Sequence, residues 1–379
     1  MAKVTIIGWY GTETIGDRAI LAGICKILHT SLSDIEIKLG SLCTFLTERT
    51  IIEDYSFLCR CIHNKQLKIS IFNSFSTQQL KSCIKTSDLL IVGGGPLMDM
   101  SVMYMLEYAF NYAKKKQIKT ALIGCGLGPL HNKEYIQCSI NLIKKSDLTI
   151  VRDESSYNMC KQYLPKLSNV TYSIDPAFFC AAAYKAMHQF NKKSNIISVN
   201  FRDVSLDKYE GNTMYIEEIC CQTLQNLSHY YSENILLVPM HTFYIGGDDR
   251  DFLLKIKEKS NINGIEVINN PLSLENTMNL YHTSTLCVGM RFHSIVLQTI
   301  LNGNNYIIDY TDPNIGKIKS MLKTLDIDAI YKNRYISIHE NKSLNFSTFN
   351  NHTEIRLDIL KQFEDIYINN IKLLLHEQL

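Results

Sequence analysis

Long apolar runs are missing from this 379-residue chain. The longest are about strand length, too short to span a bilayer as a helix. Charge of one sign is missing as well. The formal net charge is +2, which gives no reason to propose a nucleic-acid partner. Twelve cysteines are present, yet there is no C-x-x-C pair and no zinc-like spacing, so no metal site is expected. Cys59 and Cys61 alternate and Cys220 and Cys221 are adjacent, both as apolar packing positions. The opening MAKVTIIGWYG has no long h-region and runs directly into a strand. Reduced thiols and a cytoplasmic location, at most at the inner face of the membrane, are therefore expected. There is no G-x-G-x-x-G fingerprint and no G-K-[ST] P-loop. No internal repeat or low-complexity tract stands out.

What is present is ordinary globular material, 46% hydrophobic and 20% charged, long enough for two domains. Short apolar runs alternate with helical patterns twice over. The first series is VTIIGWY (4–10), EIKLGSL (36–42), LLIVGGG (89–95), KTALIGCGL (119–127) and LTIVRD (148–153), with a helix over 15–28 and an ambiguous insert around 50–85. The second is NIISVNF (195–201), ILLVPMH (235–241), GIEVINN (264–270), TLCVGM (285–290) and NYIIDY (305–310). Strands separated by helices argue for parallel sheets covered on both faces. The fold class is therefore α/β, with two Rossmann-like domains facing each other across a cleft. The expected boundaries are 1–182, a linker at 183–194, a second domain at 195–345, and a C-terminal helix within 346–379 that packs back.

Chemistry-bearing residues gather at the ends of the strands, where open α/β sheets bind ligands. In VGMRFHSIVLQTILNG (288–303), Arg291 and His293 follow a strand and open a helix. A guanidinium, a titratable imidazole and a helix N-terminus then converge, a pattern suited to a small anion. GWYGTETIGDRAIL places Gly8, Gly11 and Gly16 in a turn, and Asp17 either caps the following helix or lines the cleft. VGGGPLMD supplies Gly94 and Gly95, with Asp99 at a helix start. IGCGLGPL supplies Gly126 on the next strand. Consecutive glycines let backbone N–H groups approach a phosphate or a sugar. Arg152 and Arg202 each stand beyond a strand, as anion ligands or as members of structural ion pairs. His241 ends another strand, as a cleft residue on the acceptor side or, more simply, as a structural histidine. Near the linker, Tyr184, Lys185, Lys192 and Lys193 are read either as a solvated segment or as a contact for an anionic carrier.

With these residues laid out, the chain resembles the polysaccharide pyruvyl transferase family. The resemblance rests on YGTETIGDRAIL, VGGGPLMD, IGCGLGPL, VRDESSY, SIDPAF (173–178), ISVNFRD (197–203), VGMRFHS and DYTDPNIGKIKSML (309–322), in family order. It implies a GT-B-like pair of domains, with the acceptor on residues 1–182 and the donor on 195–345. It implies transfer from phosphoenolpyruvate to two hydroxyls of a sugar, giving a pyruvate ketal, with no metal and no further cofactor. The acceptor would be a glycan or a lipid-linked saccharide, and peripheral membrane contact would follow from the latter. Carried over, His293 is the general acid, and Arg152, Arg291 and Arg202 bind the donor. Two positions depart from the family. Thr14 stands where Asn is common, and Asn314 follows Asp312-Pro313 where a donor-binding lysine is common. Lys317, or Lys319, is the nearest replacement. Residue patterns alone leave two other readings: a glycosyltransferase of the same architecture with a nucleotide-activated donor, and a non-catalytic binding protein on this fold.

Overall fold

The computed structural model describes every residue except 129, 189–192, 205–212, 244, 246, 312–315, 341–342, 345, 347–352 and 377–379. The chain forms two compact units. Unit 1 is Met1–Glu13, Asp17–Cys180 and Leu357–Leu379, and unit 2 is Thr14–Gly16 and Ala181–Arg356.

Unit 1 alternates strands and helices: β1 (Ala2–Ile7), α1 (Ile15–Ser31), β2 (Ile35–Ser41), α2 (Thr44–Cys61), β3 (Ile69–Asn73), α3 (Thr77–Lys85), β4 (Leu89–Gly93), the short β5 (Pro96–Leu97), α4 (Val102–Lys115), β6 (Lys119–Leu127), α5 (Lys133–Lys145), β7 (Leu148–Val151), α6 (Glu154–Tyr163) and β8 (Val170–Tyr172). The strand order is β3-β2-β1-β4-β6-β7-β8, with β5 paired to β6. Neighbouring strands are parallel throughout, beginning with Val4 opposite both Ile37 and Leu89. The central strands are buried on both faces, as their unbroken apolar runs require. Helix starts are fixed locally. Asn132 caps α5 through the Glu134 N–H, and Asp153 caps α6 through the Ser156 N–H.

α7 (Ala177–Met187) carries the chain from unit 1 into unit 2. Unit 2 continues with β9 (Ile196–Val199), α8 (Thr213–Tyr230), β10 (Asn234–Leu237), α9 (Asp249–Ser260), β11 (Ile265–Val267), α10 (Leu274–Thr283), β12 (Leu286–Gly289), α11 (Phe292–Leu301), β13 (Asn305–Asp309), α12 (Lys317–Thr324) and β14 (Tyr335–Ser337). Its sheet runs β11-β10-β9-β12-β13-β14, and all its neighbours are parallel. Strand order reverses between β9 and β12, which makes the ends of these two strands the topological switch point of unit 2. α13 (Leu357–His376) returns to unit 1, where Tyr367 donates to the Ile174 carbonyl and stands edge-on to Phe179.

Several boundaries differ from the sequence reading. Residues 183–187 are the last part of α7 rather than linker. The C-terminal helix begins at Leu357, and the residues before it are held by unit 2. Phe346 packs its ring against Tyr306, and the Thr353 N–H donates to the Gly303 carbonyl. The ambiguous insert resolves into α2, β3 and α3. Asp99 does not start a helix. It accepts from the backbone N–H groups of His131 and Asn132, and so caps the approach to α5. All twelve cysteines stand as thiols. Burial pushes the Cys25 and Cys125 thiols up to about 12, which keeps them protonated and inert near neutrality.

Candidate functional site

The unit 2 switch point is where chemistry concentrates. β12 is wholly buried and ends at Gly289. Met290 follows, and Arg291 takes the N-cap position of α11 without a side-chain cap of its own. Its backbone N–H donates to Oδ1 of the fully buried Asn200, just beyond β9, at 3.0 Å. The Asn200 N–H in turn donates to the Val288 carbonyl at 2.8 Å, and its amide to the Val238 carbonyl at 2.9 Å. One asparagine therefore ties the ends of β9, β10 and β12 together and fixes where α11 starts.

The Arg291 guanidinium is held by Asp249, the first residue of α9. Nε donates to Oδ1 at 3.0 Å and to Oδ2 at 2.7 Å, and Nη2 adds a further bond to Oδ1. Asp249 is buried and also accepts from the N–H groups of Met240 and His241. This carboxylate has a cationic partner and two amide donors, which is what a buried charge requires. His241 is also buried, and its backbone reaches the N-terminal segment. It pairs with Thr14, while Ile15 donates to the Met240 carbonyl. That fastens Thr14–Gly16 to unit 2.

Gly16 is where this segment meets His293. A Cβ built on Gly16 would lie 2.1 Å from Nδ1 of His293 and 2.5 Å from Cγ. The glycine is a space reserved for the imidazole. His293 is half-buried in the first turn of α11, with the Phe292 ring edge-on at 5.1 Å.

Two further cations converge beyond β13. Arg202 lies over the Tyr310 ring at 4.6 Å, and Lys317 lies 5.4 Å from the same ring and 5.9 Å from that of Phe292. Lys317 opens α12, whose N-cap Gly316 offers no side-chain cap. The buried Asp309 sets the start of this loop, accepting from Thr311 N–H and Oγ1 and from the Tyr335 hydroxyl. Burial pushes its carboxyl up, and these hydrogen bonds oppose that rise. Lys319, two residues on, is exposed. Asn314 lies outside the described residues. Arg291, His293, Arg202 and Lys317 thus share one edge of the unit 2 sheet, where helices α11 and α12 begin and direct backbone N–H groups at any anion.

Most of the remaining candidates are in unit 1, where the structure packs each against its neighbours. Arg152 is buried in an ion pair with Asp175 (3.5 Å) and Asp153 (3.7 Å), the second of the two readings its sequence allowed. Its guanidinium fills the space over Gly126, where a Cβ would come within 2.5 Å of Nη2. Gly94 and Gly95 have positive φ, and their faces are covered by Ile20 and Trp9, so they form no open cradle. Gly11 abuts Ser41 and Cys43. Asp17 lies in the first turn of α1 and accepts from Thr12 Oγ1 at 3.0 Å. Tyr184 is buried, stacked on His188 and edge-on to His282, so it presents no aromatic surface to a carrier. Lys192 lies outside the described residues.

Asp249, Asn200 and Tyr310 belong to the site and were not singled out from the sequence. Glu13 is a further unit 1 residue of interest. Its φ is 56°, its carboxylate pairs with Arg49 at 2.9 Å, and burial raises its pKa.

No curated protein sequence matches the chain. Solved structures match along its whole length. One is the UDP co-structure of S. aureus MnaA, 13% identical, covering 98% of this chain and 91% of that one, with a TM-score of 0.55. Another is the UDP-GlcNAc 2-epimerase of Methanocaldococcus jannaschii, 14% identical over 97% and 93%, with a TM-score of 0.54. A third is UGT73P12 of Glycyrrhiza uralensis, 8% identical over 99% and 91%, with a TM-score of 0.53. These similarities establish the GT-B type of fold, with two Rossmann-like units. The sequence pattern of one family covers residues 15–313, from the start of α1 through the loop after β13, and the chain belongs to that family, the polysaccharide pyruvyl transferases.

Proposed function

We propose that this transferase takes its pyruvyl group from phosphoenolpyruvate and that the edge of unit 2 described above is the donor site. The observation that carries this reading is the grouping of Arg202 and Lys317 around Tyr310, beside Arg291 and the starts of α11 and α12. Phosphoenolpyruvate carries a carboxylate and a phosphate. Two cations and two sets of helix N–H groups supply the donors such a molecule needs. Lys317 is the lysine of the donor site in this reading, because it shares its aromatic neighbours with Arg202 and with the turn that bears His293. Arg291 is largely committed to Asp249, so its main contribution is to hold the start of α11 in place.

His293 is the general acid. It protonates the methylene carbon of the donor, which becomes a methyl group, and positive charge develops at C2. A sugar hydroxyl adds to C2 and gives up its proton. The C2–O bond to phosphate breaks, inorganic phosphate leaves with the proton of the first hydroxyl, and a second hydroxyl of the same sugar adds to C2 and returns its proton to His293, closing the cyclic ketal. A histidine suits the first step because an ordinary imidazole titrates near neutrality. Arg202 and Lys317 stabilise the departing phosphate. The acceptor is a sugar of a polysaccharide or its precursor, assigned to unit 1 by the family resemblance.

The test is phosphate release from phosphoenolpyruvate in the presence of candidate saccharide acceptors. His293→Ala should abolish transfer and leave donor affinity within a few-fold of wild type. Turnover at the wild-type rate by that variant, or release of a nucleoside diphosphate from a sugar nucleotide in place of phosphate, would overturn the reading.

A further inference from the structure

Unit 1 carries an aromatic and basic face that none of the chemistry above uses. Helices α3 and α4 pack side by side on the unit 1 sheet. Both run antiparallel to its strands, so their N-termini lie at the same sheet edge. At that edge Phe75 is 57% exposed and Met100 40% exposed. Along α4, Tyr104, Tyr108 and Tyr112 recur at four-residue spacing, and Tyr104 and Tyr108 are 46% and 38% exposed. Lys81 of α3 lies 5.7 Å from the rings of both Tyr108 and Tyr112, and Lys116 lies 5.9 Å from Tyr112. Lys85 and Lys115, both exposed, complete the lower end.

Helix α3 contains no acidic residue. The one acid in α4, Glu107, is turned toward α5, where it accepts from Asn141 and Lys145. Glu134 of α5 stands at the rim, accepting from the Tyr104 hydroxyl at 2.7 Å, with exposed Lys133 beside it. The positive charge of Lys81, Lys85, Lys115 and Lys116 is therefore not cancelled by the helices that bear it.

From this pattern we infer that the α3–α4 face docks on an anionic phospholipid surface. Tyrosine rings have an apolar body and a wet tip, and they settle at headgroup depth. Lysines lay their stems along apolar surface and keep their ammonium groups among lipid phosphates, each adding attraction to an anionic leaflet. A protein partner fits less well, since lysine is depleted from the cores of protein interfaces. A neutral glycan fits less well too, because it would leave the charge of the four lysines unmatched. No helix among the described residues is long and apolar enough to cross a membrane, so the contact is peripheral. The inference does not depend on the identity of the donor.

The experiment is vesicle flotation with the full chain, comparing neutral phosphatidylcholine vesicles with vesicles containing phosphatidylglycerol. The chain should float with the anionic vesicles only, and binding should weaken steeply as salt rises. Replacing Lys81, Lys85, Lys115 and Lys116 together by Gln should lower the partition at least tenfold. Tyr104→Ser with Tyr108→Ser should lower it several-fold. Lys323→Gln with Lys332→Gln, on exposed positions of unit 2, should leave it unchanged. Thermal melts of the variants within a few degrees of wild type exclude misfolding as the cause. Failure to bind anionic vesicles, or equal binding by all variants, would overturn the inference. So would a dimer in light scattering that the tyrosine substitutions dissolve, or binding to an anionic polysaccharide without binding to vesicles.

Discussion

The imidazole of His293 occupies the volume into which any side chain at position 16 would project. The two residues are far apart in sequence and meet because Thr14 and Ile15 are hydrogen-bonded to the loop after β10. Gly16 has an ordinary φ, so alanine there would be tolerated by the backbone and opposed only by the histidine. Gly16→Ala should therefore displace the His293 ring, with some loss of stability because the new Cβ would also lie 2.9 Å from Cβ of His293, which moves only with α11. An acid moved by about 1 Å loses on the order of a hundredfold in rate. The check is kcat for phosphate release in Gly16→Ala, His293→Ala and the double variant. The double variant should be no slower than His293→Ala alone, because both substitutions disable the same group.

Asp249 supports the site from behind. Asp249→Asn keeps the shape of the side chain and removes the charge that Arg291 neutralises. Breaking a buried pair by removing one partner costs about 3–5 kcal/mol. Part of that will be recovered because the Arg291 side chain is 18% exposed and can take up water. Chemical denaturation should show a loss of about 2 kcal/mol or more, together with a fall in transferase activity. An unchanged midpoint would mean that the pair does not hold α9 to α11.

The two lysines after β13 give a clean contrast. Lys317 lies against Tyr310 and Phe292, whereas Lys319 is exposed. Lys317→Met should raise KM for phosphoenolpyruvate by about tenfold or more, the worth of one charge-assisted contact. Lys319→Met should change it by less than twofold. Tyr310→Phe should resemble wild type, and Tyr310→Leu should resemble Lys317→Met, because the ring face is what both cations rest on. Steady-state kinetics with donor as the varied substrate decides among these.

His29 carries a pH signature. It lies buried in the last turn of α1, neither ring nitrogen has a hydrogen-bond partner among the described residues, and burial together with the nearby Lys65 lowers its pKa to about 4. The folded state holds the neutral ring, while the unfolded chain takes up a proton near pH 6.5. Stability attributable to His29 is therefore intact at neutral pH and declines as pH falls from about 6.5 to about 4, by at most about 3 kcal/mol. His29→Leu should remove this dependence and raise stability at pH 5. It also relieves an unsatisfied buried group. Urea midpoints of both proteins at pH 7 and pH 5 provide the comparison.

Strands buried on both faces were legible because they read as continuous apolar runs. KTALIGCGL marked β6 to the residue. β8 and β14 are three residues each, too short for any period to show. β3, ISIFN, lies at the sheet edge and buries only Phe72. At the site, Arg291 and His293 were legible because one strand-to-helix turn holds both. Asp249 and Asn200 were not, since nothing local distinguishes an aspartate that grips a distant arginine from its neighbour Asp248, which caps its own helix. The glycines are ambiguous in sequence for a physical reason. Their absent side chains admit Trp9, Ile20, Arg152 and His293, and a sequence does not say whether such a space is taken by the protein or left for a ligand.

The segment Thr14–Gly16 belongs to unit 2, although Glu13 before it and Asp17 after it belong to unit 1. The chain accordingly passes between units at Glu13–Thr14, Gly16–Asp17, Cys180–Ala181 and Arg356–Leu357. A gene fragment cut at residue 180 would not yield two self-sufficient modules, since the downstream half would lack the tripeptide that backs its own histidine. Any chimera that exchanges unit 2 between relatives must exchange these three residues with it. The simplest way to build one is to graft 14–16 together with 181–356, so that the histidine and the glycine beside it keep a common ancestry.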